Sequence, residues 1–384
     1  MATNGIADTS EWPSPPSSWI DKVLFLGTGT SGQVPAIHCV TKPDFGGCAA
    51  CKDAAINPTG KNRRGCTAAA VIGRHAEDTQ DSTILIDCGK TFYSNAIIHF
   101  PRNGIRSIRA VLLTHAHADA ILGLDDLRAW TMGGVIQRYV DIYLTQECMT
   151  VVEGMFPYLV DRSKSTGGGD VPTLRWNIID RDAPFVIQAS EGRKALQIWP
   201  LPVLHGYVGR STPFWSLGFR IDTFSYISDC HKIPATTIEL MRGSQAIVMD
   251  ALKMDRHLSH FSFSQALSFF ASFSPPPALG LLTDFTHRVE HHATQKLVDT
   301  WREGMLSAQL AGKSKEISSV GEGGGLRWWS DIWDEEENEF NMTIRLKEQH
   351  PAPDKPAVEK LPHLIPPIRL SWDGLVVRFA HQRK

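Results

Sequence analysis

At 384 residues the chain has room for two average domains or one elaborated α/β domain, and length alone does not choose between them. Lys and Arg number 39 against 41 Asp and Glu, so no whole-chain field draws in nucleic acid or an acidic membrane, and phosphate recognition must be local. Hydrophobic residues make up 42 % of the chain, enough for a sizeable core, yet no apolar run nears the ~20 residues of a membrane span.

Residues 1–18 carry Asp8, Glu11 and a Pro-Ser cluster, with neither an apolar h-region nor an Arg-rich amphipathic pattern. The expectation is a disordered lead over 1–20, no secretory or organellar signal, and a cytoplasmic address. Seven scattered cysteines, an odd number, fit a reducing compartment, where the cluster Cys39, Cys48 and Cys51 reads as metal ligands rather than disulfides.

Regular structure is expected to begin at Lys22–Leu26, an apolar run that ends in the tight loop Gly27-Thr-Gly-Thr-Ser-Gly32. That loop matches neither a Walker nor a dinucleotide fingerprint, so it is read as shaping a cleft and the cysteine loop. Further strands are predicted at Ala68–Ile72, Thr83–Ile86, Ala110–Leu113, Val140–Leu144, Ala195–Pro200, Ser216–Ile221, Phe224–Ile227, Ala246–Met249 and Leu279–Leu282. Helical stretches between them point to an α/β protein whose sheets are covered by helices. Two segments break the pattern: Ser163–Pro172, and a Gly-rich then acidic insertion at 312–356 that carries Trp328, Trp329 and Trp333 and is expected to be flexible. Strand, turn at Asp373-Gly374 and strand follow over Ile368–Phe379, so 21–384 is read as one domain.

The strongest chemical signal is Val111-Leu-Leu-Thr-His115-Ala-His117-Ala-Asp119. Residues two apart at a strand end lie on one side, and the aspartate arrives from the following turn, so two imidazoles and a carboxylate can converge on a single cation. A second local feature is Asn62-Arg63-Arg64, where Arg63 and Arg64 could bind a substrate phosphate.

These motifs, with Phe25-Leu-Gly-Thr-Gly-Thr-Ser31, Leu85-Ile-Asp87-Cys-Gly89, Gly123-Leu-Asp-Asp-Leu-Arg128, Pro202-Val-Leu-His205-Gly206, Tyr226-Ile-Ser-Asp229 and Leu282-Thr-Asp-Phe-Thr-His287, resemble the metallo-β-lactamase superfamily. The resemblance is to the branch of the carbon-phosphorus lyase pathway phosphodiesterase, the PhnP-like branch. It implies a four-layer αβ/βα sandwich with a metal site at the edge between two sheets. Metal ligands would be His115, His117 and His205, with Asp229 shared or terminal. It further implies a structural zinc held by Cys39, Cys48, Cys51 and His287, with His291 and His292 as alternatives to His287, and a catalytic histidine best matched by His260. The branch's pattern continues Asp-His where this chain has Asp119-Ala120, and places a histidine where this chain has Asp284. Either a one-metal site or a second site rebuilt from Asp119, Asp284 and Asp126 follows, the latter favouring Mn²⁺ or Mg²⁺ over Zn²⁺.

The expected activity is hydrolysis of a small or cyclic phosphoester by a metal-activated water, using Zn²⁺ or Mn²⁺. Asp119 would orient or deprotonate the water, and His260 would assist the leaving group. Two alternatives stay open: a nuclease similar to transfer-RNA 3′-processing enzymes, and a non-catalytic zinc-stabilised binding protein. A small-molecule phosphoester is the expected partner, nucleic acid is less favoured, no membrane is expected, and a homodimer is compatible with this reading.

Overall fold

A computed structural model describes residues 13–190, 192–209, 211–310 and 365–381. Strands β1 (Pro16–Ser17), β2 (Ile20–Gly27), β3 (Ala68–Gly73), β4 (Ser82–Ile86), β5 (Ala110–Leu112), β6 (Val140–Leu144) and β7 (Leu174–Ile178) come first. Then follow β8 (Phe185–Ile187), β9 (Leu196–Val208), β10 (Thr212–Ile221), β11 (Phe224–Tyr226), β12 (Ala246–Asp250), β13 (Leu279–Thr283), β14 (Ile368–Leu370), β15 (Val376–Arg378) and β16 (Ala380–His381). They build two seven-stranded mixed sheets, ordered β15-β2-β3-β4-β5-β6-β7 and β14-β13-β12-β11-β10-β9-β8, plus a short parallel pair of β1 with β16.

Strand β2 shows why the sheets stack. Its alternate residues Val23 and Phe25 enter the core between the two sheets, where they meet Phe219, Ile221, Tyr226 and Val248 of the second sheet. Leu24 and Leu26 point the other way, onto Phe92, Ala96 and Phe100 of the helix Phe92–Arg102. The outer face of the second sheet buries Ile247, Met249 and Leu282 against Phe263, Leu267 and Trp301 of its own helices. Strands covered on both faces must be apolar throughout, which is why these runs read as continuous hydrophobic stretches. The architecture is the four-layer αβ/βα sandwich that the sequence resemblance implies.

One expectation needs correction. The lead is ordered from Pro13 onward within the described residues: Ser17 Oγ donates to Asp222 Oδ2 at 2.6 Å, and Trp19 is buried in the core between the sheets. A large apolar ring directly before the first long strand is what draws this stretch in, and Pro-Ser composition concealed it. The strand, turn and strand expected over Ile368–Phe379 are present, and the two strands part at the turn: β14 joins β13 in the second sheet and β15 joins β2 in the first. Asp373 fastens this crossover, accepting from Gly65 N at 2.6 Å and Thr28 Oγ1 at 2.8 Å. The 312–356 insertion and its tryptophans lie outside the described residues.

Candidate metal centre

The carboxyl ends of β5, β11, β12 and β13 deliver His115, Asp229, Asp250 and Asp284 to one edge of the sandwich, and β9 adds His205 from within its length. Ligand sites in open α/β sheets lie outside such strand ends. The two sheets are joined here directly: Leu217 N of β10 donates to the Thr114 carbonyl at 2.9 Å, and Phe285 N donates to Thr28 O at 3.0 Å.

Ring nitrogens of His115, His117 and His205 come within 4.8 Å of one another, with His115 and His205 buried and His117 exposed. Their orientation is set from behind. The Thr114 hydroxyl donates to Asp87 Oδ2 at 2.9 Å, so its oxygen is left to accept from His115 Nδ1 at 2.8 Å. His205 Nδ1 lies 2.7 Å from the Ser259 carbonyl, to which it can only donate. Both rings therefore turn a bare Nε2 inward, the arrangement by which outer hydrogen bonds prepare imidazoles for a metal. Burial lowers the pKa of all three, His115 to about 3, which keeps them neutral and ready to ligate.

His115 Nε2, Asp119 Oδ1 and Asp229 Oδ2 are buried without any hydrogen-bond partner. Native structures rarely leave such atoms unpaired. A divalent ion at the triad fits these three orphans, and the three imidazoles with Asp229 are the residues that would hold it. Burial pushes the Asp229 carboxyl up, but His115, His205 and His260 outweigh that and hold it below the usual carboxylate range. Burial, then the charge of Asp229, raises Asp119. Asp119 stands outside the ligand groups closed to 4.8 Å, beside the triad rather than in it.

His260, Asp250 and Asp284 form another such group, and His260 also joins His205 and Asp229 in a third. His260 owes its place to the helix Phe263–Ser272, whose N-cap Ser262 makes a capping box with Gln265 and so fixes the incoming chain. Burial pushes the His260 imidazole down, but Asp250 and Asp284 outweigh it and raise its pKa to about 12.

On a separate loop, the ligand atoms of Cys39, Cys48, Cys51 and His287 also lie within 4.8 Å of one another. Cys39 Sγ and Cys48 Sγ each stand 3.5 Å from His287 Nδ1. Three thiols and one imidazole at this spacing are the donors of a closed tetrahedral zinc site. The insertion Val40–Gly47 between the first two cysteines is taken up by a turn and does not pull them apart. His291 is buried elsewhere, its backbone N–H bonded to Asn62 Oδ1 at 2.8 Å.

Arg64 is a correction. It is 1 % exposed, and its guanidinium donates to the carbonyls of Val289 and Thr286 at 2.8 and 3.1 Å, so it ties two loops together and cannot meet a substrate phosphate. Arg63 beside it is exposed. Asp126 belongs to none of the ligand groups among the described residues.

Sequence reasoning missed Asp250 and Phe214. An acidic residue closing the apolar strand Ala246–Met249 was a signal for Asp250. Nothing in the sequence marked Phe214, whose ring stacks on His117 at 4.9 Å and meets His205 at 5.7 Å, because that contact depends on how the β9–β10 hairpin folds over the triad.

Residues 82–281, just over half the chain, match the family described as the beta-lactamase superfamily domain. The chain belongs to this superfamily. An octanoyltransferase of Porphyromonas gingivalis (strain ATCC BAA-308 / W83) is 26 % identical over 275 residues, 71 % of this chain and 46 % of that protein. The chain thus spans less than half the length of that curated relative. Among solved structures, a diphosphatase from the PhnP family is 21 % identical with a TM-score of 0.59, covering 94 % of this chain and 98 % of its own. Zinc-bound PqqB from Methylobacterium extorquens is 18 % identical with a TM-score of 0.51, covering 69 % and 89 %. Both share the superfamily fold. Among the described residues no helix is long and apolar enough to cross a membrane.

Proposed function

We propose that this superfamily member is a metal-dependent phosphodiesterase acting on a small phosphoester, with the ion at His115, His117 and His205. The observation that carries the reading is the set of buried, unpartnered donors His115 Nε2, Asp119 Oδ1 and Asp229 Oδ2 on one exposed-edge cluster. Three imidazoles are a donor set that Zn²⁺ takes readily and Mg²⁺ does not, with Mn²⁺ between them. A divalent ion there supplies Lewis acidity and lowers the pKa of water at neutral pH.

The chain's own groups have distinct tasks in this reading. Asp119 Oδ1, with no competing donor, orients the attacking water and accepts its proton. His260 has Nδ1 committed to Asp250 and Asp284, so Nε2 is its atom available to a leaving oxygen. Its positive charge also stabilises the charge that builds on phosphorus-bound oxygens. Phe214 stacks on the His117 ring and packs against the triad from that side. The likeness of the fold to a PhnP-family diphosphatase supports phosphorus over carbon as the centre attacked.

The test is hydrolysis of bis(p-nitrophenyl) phosphate and of an octanoyl thioester by wild type, His115→Ala and Asp119→Asn, with Zn²⁺ or Mn²⁺ supplied. Phosphodiester cleavage lost in both variants is expected, a 10²-fold drop or more for Asp119→Asn. Cleavage of the thioester alone would replace the phosphodiesterase with an acyl-ester hydrolase on the same centre. Activity on neither substrate class would favour a binding protein.

A further inference from the structure

Three carboxylates close around the side chain of His260. Its Nδ1 lies 2.9 Å from Asp284 Oδ2, 3.0 Å from Asp250 Oδ2 and 4.0 Å from Asp229 Oδ1, and those acids are 2 %, 0 % and 4 % exposed. Oxygens gathered in this way are what a second divalent ion beside the triad would use. Two features deny it that place.

The first is that one oxygen of Asp250 is turned to the imidazole ring. Its Oδ2 accepts from three N–H groups: Cys230 N at 3.0 Å, Phe261 N at 3.3 Å and His260 Nδ1 at 3.0 Å. That oxygen anchors the imidazole ring, and Asp250 Oδ1, buried without a hydrogen-bond partner, is the oxygen left to an ion once the ring is gone. The second is Ala120, directly after Asp119, whose methyl packs into the core under the first sheet and offers no donor. Asp284 Oδ2 faces His260, and Asp119 Oδ1, Asp229 Oδ2 and Asp250 Oδ1 are left without a partner.

We propose that the catalytic centre holds one divalent ion and that the His260 ring, anchored on Asp250 and Asp284, fills the place a second ion would take. The inference rests on the reading of the histidine triad as an ion site, and the two can fail separately.

The experiment counts ions on the full chain. Wild type is loaded with Mn²⁺ after purification with its thiolate zinc, and total metal is read by mass spectrometry while electron paramagnetic resonance reports whether manganese ions couple. One uncoupled Mn²⁺ per chain is expected. His260→Ala should open the carboxylate pocket and take a second Mn²⁺ with a coupled spectrum, whereas His260→Gln, which keeps an N–H donor, should stay at one. Two coupled ions in wild type overturn the inference without touching the triad, and this measurement needs no variant to fold. An unchanged count in a folded His260→Ala also overturns it, because the ring would then not be what keeps the ion out. Retention of the single ion in His115→Ala would instead bring down the triad reading itself.

Discussion

The backbone of Gly89 passes so close to that of Asp119 that a Cβ on Gly89 would stand 1.6 Å from the Asp119 carbonyl oxygen. The loop after β4 therefore buttresses the His-x-His-x-Asp loop through a contact that only glycine permits. Gly89→Ala must push the two backbones apart, because a backbone carbonyl cannot yield by a rotamer change. We expect a loss of about 3 kcal/mol or more of stability, read from the denaturant midpoint, together with weakened ion binding. A variant within about 0.5 kcal/mol of wild type would show that the loops are free to separate.

Thr114 links Asp87 to His115, and its hydroxyl selects the tautomer that exposes Nε2. Thr114→Val keeps the shape and removes the relay. Outer-shell losses of this kind lower metal affinity by about 10- to 100-fold. Competition with a chromophoric chelator measures it; equal affinity in the two proteins would mean the relay does not set the ring.

The cysteine loop is held to the sandwich by His287, and the small helix Ala49–Ile56 that carries Cys51 has few buried side chains of its own, namely Ala50, Cys51 and Ala54. A loop with so little core depends on its metal. Cys51→Ser should release one zinc per chain and lower the melting temperature, while the ion at the triad stays. Coincident loss of both ions from Cys51→Ser would show that the two centres are not independent.

Arg64 fills the space over the Phe285 ring, 5.0 Å from its centroid, while it bonds the loop carbonyls. Arg64→Met preserves the stem and leaves those carbonyls bare, at a cost of about 2–4 kcal/mol. The KM for a phosphodiester should not change. A raised KM with unchanged stability would restore the substrate role that its burial contradicts.

Acid should weaken the metal-free fold by a route outside the metal centre. Burial lowers His99 to about 4 and His291 to about 2. Each titrates near 6.5 in the unfolded chain, so below that pH the unfolded state binds protons that the folded state refuses. Their contribution is complete above about pH 6.5 and is lost as the pH falls, towards 4 for His99 and towards 2 for His291. Between pH 7.5 and 5 the stability should drop, with on the order of 1–2 kcal/mol from His99. His99→Leu should flatten that slope, as measured by chemical denaturation at several pH values, and an unchanged slope would assign the acid sensitivity elsewhere.

Much of the site could be read in the chain because its signals are local. A strand that runs into His115, His117 and Asp119 sets its own geometry, and the order of His205, Asp229 and Asp284 behind it follows from strands whose apolar runs were plain. Cys39, Cys48 and Cys51 declared themselves by chemistry, even across an insertion.

What the sequence by itself determined was the list of donors and the layered fold, since both rest on residue type and on the period of two along each strand. Only the tertiary structure decided which donors lie together. Asp250 and His260 are ten residues apart with a loop between them, and Asp250 becomes the anchor because Cys230 from a distant segment and Phe261 beside His260 point their N–H groups at the same oxygen. Arg64 went the opposite way: a pair of arginines in a loop suggests phosphate, and long-range packing against Val289 and Phe285 made one of them a tie within the fold. Burial and partner choice across distant segments are properties of the whole chain, so no local pattern announces them.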